Sequence, residues 1–168
     1  YERDVNGNPA EKNWTGSVSR NCSLKHGGGI YNAAGSIFKM CRGAISYNNA
    51  EGSAKNGGAI YFEEPGTDGD FEILGGSVIK NHAEKGGSIY VTDSFKIKGS
   101  AYIAKGAGTD ADPYNDVYLP TGKSVIVSGT LSPAENSDGK IIAAITPQNY
   151  KRGTIIISGL TGSIPYTL

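Results

Sequence analysis

Net charge is the first thing this sequence lacks. Sixteen Lys and Arg are matched by sixteen Asp and Glu over 168 residues, so the chain has no electrostatic footprint of the kind duplex nucleic acid or an anionic membrane demands. Nucleic acid is therefore not an expected partner. No apolar run approaches the ~20 residues needed to cross a bilayer, and the opening "YERDVNGNPAEKNW" has neither a basic start nor an apolar core. No membrane span is expected in this chain. Cysteine is scarce: Cys22 and Cys41 are too few for a disulfide framework and fit neither a zinc knuckle nor a Cys-x-x-Cys motif, so both are read as unpaired structural thiols. Histidine is scarcer in effect, since His26 and His82 fall in no Ser-His-Asp or metal-ligand spacing and read as exposed corner residues. Leucines are few, whereas glycine reaches 25 and tyrosine 10. Glycine costs ~1 kcal/mol in a helix interior, and tyrosine and β-branched residues favour a pleated surface. The fold class that remains is all-β.

What the sequence does have is a repeat. "GGGIY" at Gly27 to Tyr31 returns as "GGAIY" at Gly57 to Tyr61 and "GGSIY" at Gly86 to Tyr90. A second column reads "GSVSRN", "GAISYN" and "GSVIKN", ending at Asn21, Asn48 and Asn81, and a third reads "FKM" from Phe38, "FEI" from Phe71 and "FKI" from Phe95. The later half keeps the interval with fewer glycines: "DVYL" places Tyr118 in line with Tyr31, Tyr61 and Tyr90, and "VIVSG" from Val125 is matched by "IIISG" from Ile155. Self-similarity on this scale is the signature of a solenoid, propeller or array. Each period holds three short segments of two-residue alternation separated by turn residues, with no helical stretch long enough for a crossover. The hairpin signals a propeller blade needs are missing apart from Asn56-Gly57.

These features predict a right-handed parallel β-helix of about five rungs, three short strands each, the hand following the rule for parallel crossovers. One domain is expected over residues 1–168, with regular rungs over 16–130 and a degenerate last rung or cap over 131–168. Neighbouring rungs lie ~4.8 Å apart, so each column accepts only residues that stack on their own kind. Ile30, Ile60, Ile89 and Val117 share parity with Asn32, Phe62, Val91 and Leu119. They are predicted to face inward, which turns Tyr31, Tyr61, Tyr90 and Tyr118 outward. Gly27, Gly57 and Gly86 are read as corners that need positive φ or a closely packed backbone. Asn21, Asn48 and Asn81 are read as a structural amide ladder at a corner whose left-handed conformation Asn tolerates.

Parallel β-helices also house polysaccharide lyases and hydrolases, whose catalytic acids converge on one face. The acids gather in two loops, one with Glu63, Glu64, Asp68, Asp70 and Glu72, the other with Asp110, Asp112 and Asp116. They fall at different positions of the rung and read as solvated turns. No catalytic residue is assigned. Calcium at either loop is the sharper alternative, but neither matches the EF-hand or calcium-roll spacing, so no metal or other cofactor is expected. Asn13-Trp14-Thr15 and Asn21-Cys22-Ser23 fit the glycosylation acceptor pattern, a short motif of common occurrence. The four tyrosines are the candidate ligand-binding residues, because rigid aromatic surface suits a glycan or a protein partner; cross-strand stacking for stability is the competing explanation.

Gly57-Gly58-Ala59-Ile60, with the aliphatic-x-x-Asn runs Val18 to Asn21, Ile45 to Asn48 and Val78 to Asn81, resembles the repeats of chlamydial polymorphic outer-membrane proteins. Related β-helical surface proteins of spirochaetes and gut bacteria carry similar repeats. Here Val or Ile stands where that family has Phe. The likeness extends through "NDVYLPTGKSVIVSGTL" and "IIAAITPQNYKRGTIIISG", and so covers most of the chain from Gly16 to Gly159. It implies a bacterial secreted or cell-surface passenger, part of a larger protein: an adhesin-like or stalk module, not an enzyme, whose partner is a host surface protein or glycan. The alternative is a polysaccharide lyase or hydrolase acting on acidic polysaccharide. Replacement of Ile60 or Phe71 by Asp is expected to unfold the local rung, seen as loss of amide-exchange protection over the adjacent strands; retained protection would contradict the inward assignment.

Overall fold

The computed structural model describes residues 16–52, 55–63, 70–106, 109, 115–132 and 142–159. Every regular element among them is a strand, and every pairing is parallel. The first column consists of β1 (Ser17–Ser19), β5 (Ala44–Ser46), and the second halves of β8 (Phe71–Ile79) and β10 (Phe95–Ile103). The second column is β3 (Ile30–Asn32), β7 (Ile60–Phe62), β9 (Ile89–Val91), β11 (Val117–Leu119) and β13 (Ile145–Pro147). The third is β4 (Phe38–Met40), the first halves of β8 and β10, β12 (Val125–Leu131) and β14 (Ile157–Ser158). A short pair, β2 (Cys22–Ser23) on β6 (Asn49–Ala50), lies between the first and second columns. The chain is a right-handed parallel β-helix of about four turns, with β13 and β14 contributing to a fifth.

Two details of the repeat differ from the sequence expectation. The third and first columns fuse into nine-residue strands in β8 and β10, bent at Gly76 (φ 89°) and Gly99 (φ 63°) instead of being broken by a loop. The last match is displaced by two residues: Val125 pairs with Ile157, not Ile155, which is 68% exposed. A slip of two preserves inward parity, so Ile157 stacks where Ile155 was expected.

Apolar side chains fill the coil as columns. Ile60, Ile89 and Val117 are fully buried in register, as are Phe62, Val91 and Leu119. Phe71 stacks on Phe62 and Phe95 with ring centroids 5.0 and 4.9 Å apart. Each such side chain contributes ~1.5–3 kcal/mol on burial. In the first described turn the same columns, Val18, Ile30 and Phe38, are only partly buried.

The paired glycines and the asparagines form one device. Gly27, Gly57 and Gly86 have φ of 66°, 68° and 62°, a left-handed turn that a Cβ would disfavour. The second glycine is required by proximity: a Cβ on Gly58 would stand 2.3 Å from the His82 carbonyl oxygen and 2.4 Å from that of Gly87. Just after the Asn the chain remains laddered to its neighbouring turns through the β2–β6 pair and the Asn49–His82 bridge, and it enters the second column at the Gly-Gly with backbones in contact. The third position stays small because it meets the next turn's ladder: a Cβ on Gly29 would lie 3.0 Å from the Asn48 amide.

The ladder runs one way. The Asn48 Oδ1 accepts from the Asn21 backbone N–H (3.1 Å) and Nδ2 (2.9 Å); the Asn81 Oδ1 accepts from Asn48 N–H and Nδ2, both at 3.0 Å. Each Nδ2 also donates to a carbonyl one turn back, Asn48 to Val18 and Asn81 to Ile45, both at 2.9 Å. The left-handed residue at this corner is not the Asn, as expected, but the residue before it: Arg20, Tyr47 and Lys80 have φ of 58°, 55° and 53°. Asn is chosen for its amide, which pairs a buried backbone N–H that nothing else reaches. Asn81→Ala is expected to destabilise the fold by about 3 kcal/mol or more, since it leaves the buried Asn48 N–H without its acceptor. Asn21→Ala, at the exposed end of the ladder, is expected to cost about 1 kcal/mol or less. Urea midpoints measure both, and equal losses would contradict a directional ladder.

Candidate functional site

The tyrosines are placed by parity and register. Within β3, β7, β9 and β11 the residue between two inward side chains points outward, and the pairs Tyr31 with Tyr61, Tyr61 with Tyr90 and Tyr90 with Tyr118 are in direct parallel register. Centroids are 5.5, 5.3 and 5.1 Å apart with ring planes within 13° of parallel. Thr146 takes the next place in register and ends the column.

Stacking decides what this strip can offer. Rings laid face to face along the axis contact one another through their faces, so that only ring edges are left to meet solvent or a neighbouring side chain. Tyr31 is 50% exposed but Tyr61 only 8%; His26, half-buried rather than the exposed corner residue expected, stacks on Tyr61 at 4.1 Å. His82 is exposed. The Lys85 ammonium sits 5.7 Å from the Tyr118 ring centre, within range of a cation–π contact. The Tyr31 hydroxyl donates to Glu63 at 2.5 Å. That bond raises the Tyr31 phenol above its ordinary value, with burial and the Glu63 charge adding to it. Burial raises the Tyr90 phenol, with a further push from Tyr118. The strip is therefore a rigid file of stacked phenols that offers its most open ring, Tyr31, at one end.

Among the described acidic residues, Glu63, Glu72 and Asp116 each have a separate partner. Glu63 binds Tyr31, and Glu72 pairs with Lys39 at 3.0 Å on the third column. Asp116 accepts from the Gly87 N–H at 2.8 Å, fastening the fourth turn to the third. Asp70 is half-buried at the start of β8; Glu64, Asp68, Asp110 and Asp112 lie outside the described residues, as do Asn13 and Trp14. No cluster of three or more His, Cys, Asp or Glu that could hold a metal occurs among the described residues. Cys22 and Cys41 are unpaired and exposed. The amide of Asn21 in the glycosylation pattern is engaged in the ladder.

One ladder member escaped the sequence reading. Asn115 is fully buried, its Oδ1 accepts from the Asn81 N–H at 3.0 Å, and its Nδ2 donates to Val78 at 2.9 Å and to Ala104. Register alone would put Gly106 there, since Ile103 pairs with Val78; the residues from Gly106 to Tyr114 come before the Asn instead of after it. No spacing signal marks it: Asn21, Asn48 and Asn81 precede the small position of the second column by 8, 11 and 7 residues, whereas Asn115 stands directly before Asp116, which fills that position.

A raised folded-state phenol pKa stabilises the fold fully below the unfolded value near 10 and ceases to do so as pH rises through the folded value. Ultraviolet titration is accordingly expected to show tyrosines ionising above the ordinary range, one fewer in Tyr90→Phe, with Tyr31 returning towards normal in Glu63→Ala. A single transition near pH 10 for all tyrosines would contradict this. No family model, curated protein or solved structure matches the chain.

Proposed function

We propose that the chain is a non-enzymatic surface module, an adhesin-like or stalk segment of a larger bacterial secreted or cell-surface protein, that binds a host surface protein or glycan through a lateral face of its coil. The observation that carries this reading is the unbroken stack of Tyr31, Tyr61, Tyr90 and Tyr118 on one outer face, a strip nearly 15 Å long at ~4.8 Å per turn. Its rigidity means little side-chain freedom is lost on contact. The likeness of the Gly-Gly-Ala-Ile and aliphatic-x-x-Asn runs to polymorphic outer-membrane protein repeats supports the same setting. Against the polysaccharide-cleaving alternative, which needs carboxylates converging on one sugar ring, the loop carboxylates Glu63, Glu72 and Asp116 are each committed to a separate structural partner.

Serine at Tyr61 and Tyr90 is expected to abolish binding to host cells or immobilised glycans while far-ultraviolet circular dichroism keeps its β signature. Phenylalanine at the same positions, which retains the stack and removes the hydroxyls, is expected to weaken binding in part. Unchanged binding in the serine variant, or turnover of pectin or alginate by the purified chain with or without calcium, would overturn the reading.

A further inference from the structure

The corner just before the Asn ladder carries a second outward column, independent of the tyrosine strip. Arg20, Tyr47 and Lys80 occupy it in three successive turns, and Lys105, two residues beyond the register pair of Ile103 with Val78, continues it in the fourth. Elsewhere in the described chain the left-handed conformation is given almost wholly to glycine, at eleven positions; besides this corner the exception is Lys55. At this corner the large side chains Arg20, Tyr47 and Lys80 hold it instead. Strain kept in place of an available glycine marks side chains that serve a purpose.

The arrangement explains what that purpose is. The Arg20 guanidinium lies 5.9 Å from the centre of the Tyr47 ring and the Lys80 ammonium 5.5 Å from it, one from the turn before and one from the turn after. Tyr47 itself is 48% exposed. Arg20 and Lys105 are exposed and Lys80 half-buried, and among the described residues no carboxylate pairs with any of the three. The ring acts as a spacer that holds two cations apart by about two strand separations, roughly 10 Å, with a third cation one separation further on. The result is a straight file of unneutralised charge, one residue wide, on a chain with no net charge.

We propose that this corner binds a linear acidic polysaccharide laid along the axis of the coil, its carboxylate or sulfate groups meeting Arg20, Lys80 and Lys105 and its hydroxyls meeting the edge and phenol of Tyr47. A single nucleic-acid strand is disfavoured because base stacking needs open aromatic faces, and both faces of Tyr47 are covered by cations. An anionic bilayer is disfavoured because it is recognised by broader basic clusters, not by a file one residue wide.

Calorimetric titration with a short heparin oligosaccharide and a short oligogalacturonate tests this. The wild-type chain is expected to bind at least one of them, more weakly as salt rises. Arg20→Asn with Lys80→Asn and Lys105→Gln is expected to weaken binding about ten-fold or more; Asn tolerates the left-handed conformation, so circular dichroism and Tm stay near wild type. A control that also removes three charges, Lys96→Gln with Lys98→Gln and Lys151→Gln, is expected to change affinity less than about two-fold. The proposal is overturned if neither oligosaccharide binds, if the corner variant binds normally, if the control loses as much, or if a single-stranded oligonucleotide or phosphatidylserine vesicles bind as tightly.

Discussion

Everything in this molecule depends on stacking like over like at the spacing of one parallel β-ladder. That constraint is severe where the chain has polar groups to hide. At the corner that ends each first-column strand, the backbone N–H groups of Asn21, Asn48 and Asn81 bond side-chain amides and not a neighbouring backbone carbonyl. The amides of Asn48, Asn81 and Asn115 are what satisfy them, each accepting from the residue one turn before. An apolar side chain of the same size would leave buried donors unpaired, and a larger one would meet the small residue of the neighbouring strand. The motif that first attracts notice, two glycines and a small residue, is therefore the negative image of the asparagine column beside it.

The same constraint shapes the outer surface. Once register is set by the core and the amide ladder, any outward residue type that recurs is drawn into a column, and columns become strips. Tyrosines at one lateral position became a stack of rings with edges outward. Basic residues at the corner became a file of cations spaced by a tyrosine. Neither strip needs a cleft, which suits an extended ligand lying along the coil better than a small substrate enclosed in a pocket. A repeat fold of this kind changes what it binds by changing one column while the others continue to hold the coil together.

The architecture was legible because the evidence for it was periodic. Column two could be read to Tyr118 from its tyrosines alone, and the parity that sends Ile60 and Phe62 inward followed from alternation. What was not legible broke the period without breaking the structure. Asn115 keeps its place although residues from Gly106 onward intervene before it, because the ladder needs an amide at that point in space and not at a fixed sequence offset. Ile157 replaces Ile155 because strand pairing tolerates a slip of two. The half-burial of His26 and the face-to-face packing of the tyrosines depend on side-chain rotation, to which periodicity is blind. The left-handed corner fell one residue before the Asn, on Arg20, Tyr47 and Lys80, positions that appeared merely variable in the alignment.

The central claim, parallel turns stacked in register, is tested most directly by nuclear Overhauser contacts in the folded chain. The account predicts ring-to-ring contacts in series from Tyr31 to Tyr61, Tyr61 to Tyr90 and Tyr90 to Tyr118, with Phe71 touching both Phe62 and Phe95 and with no close Hα–Hα pairs of the antiparallel kind between strands of the second column. Antiparallel Hα–Hα contacts, or four tyrosine rings with no contact between them, would contradict it.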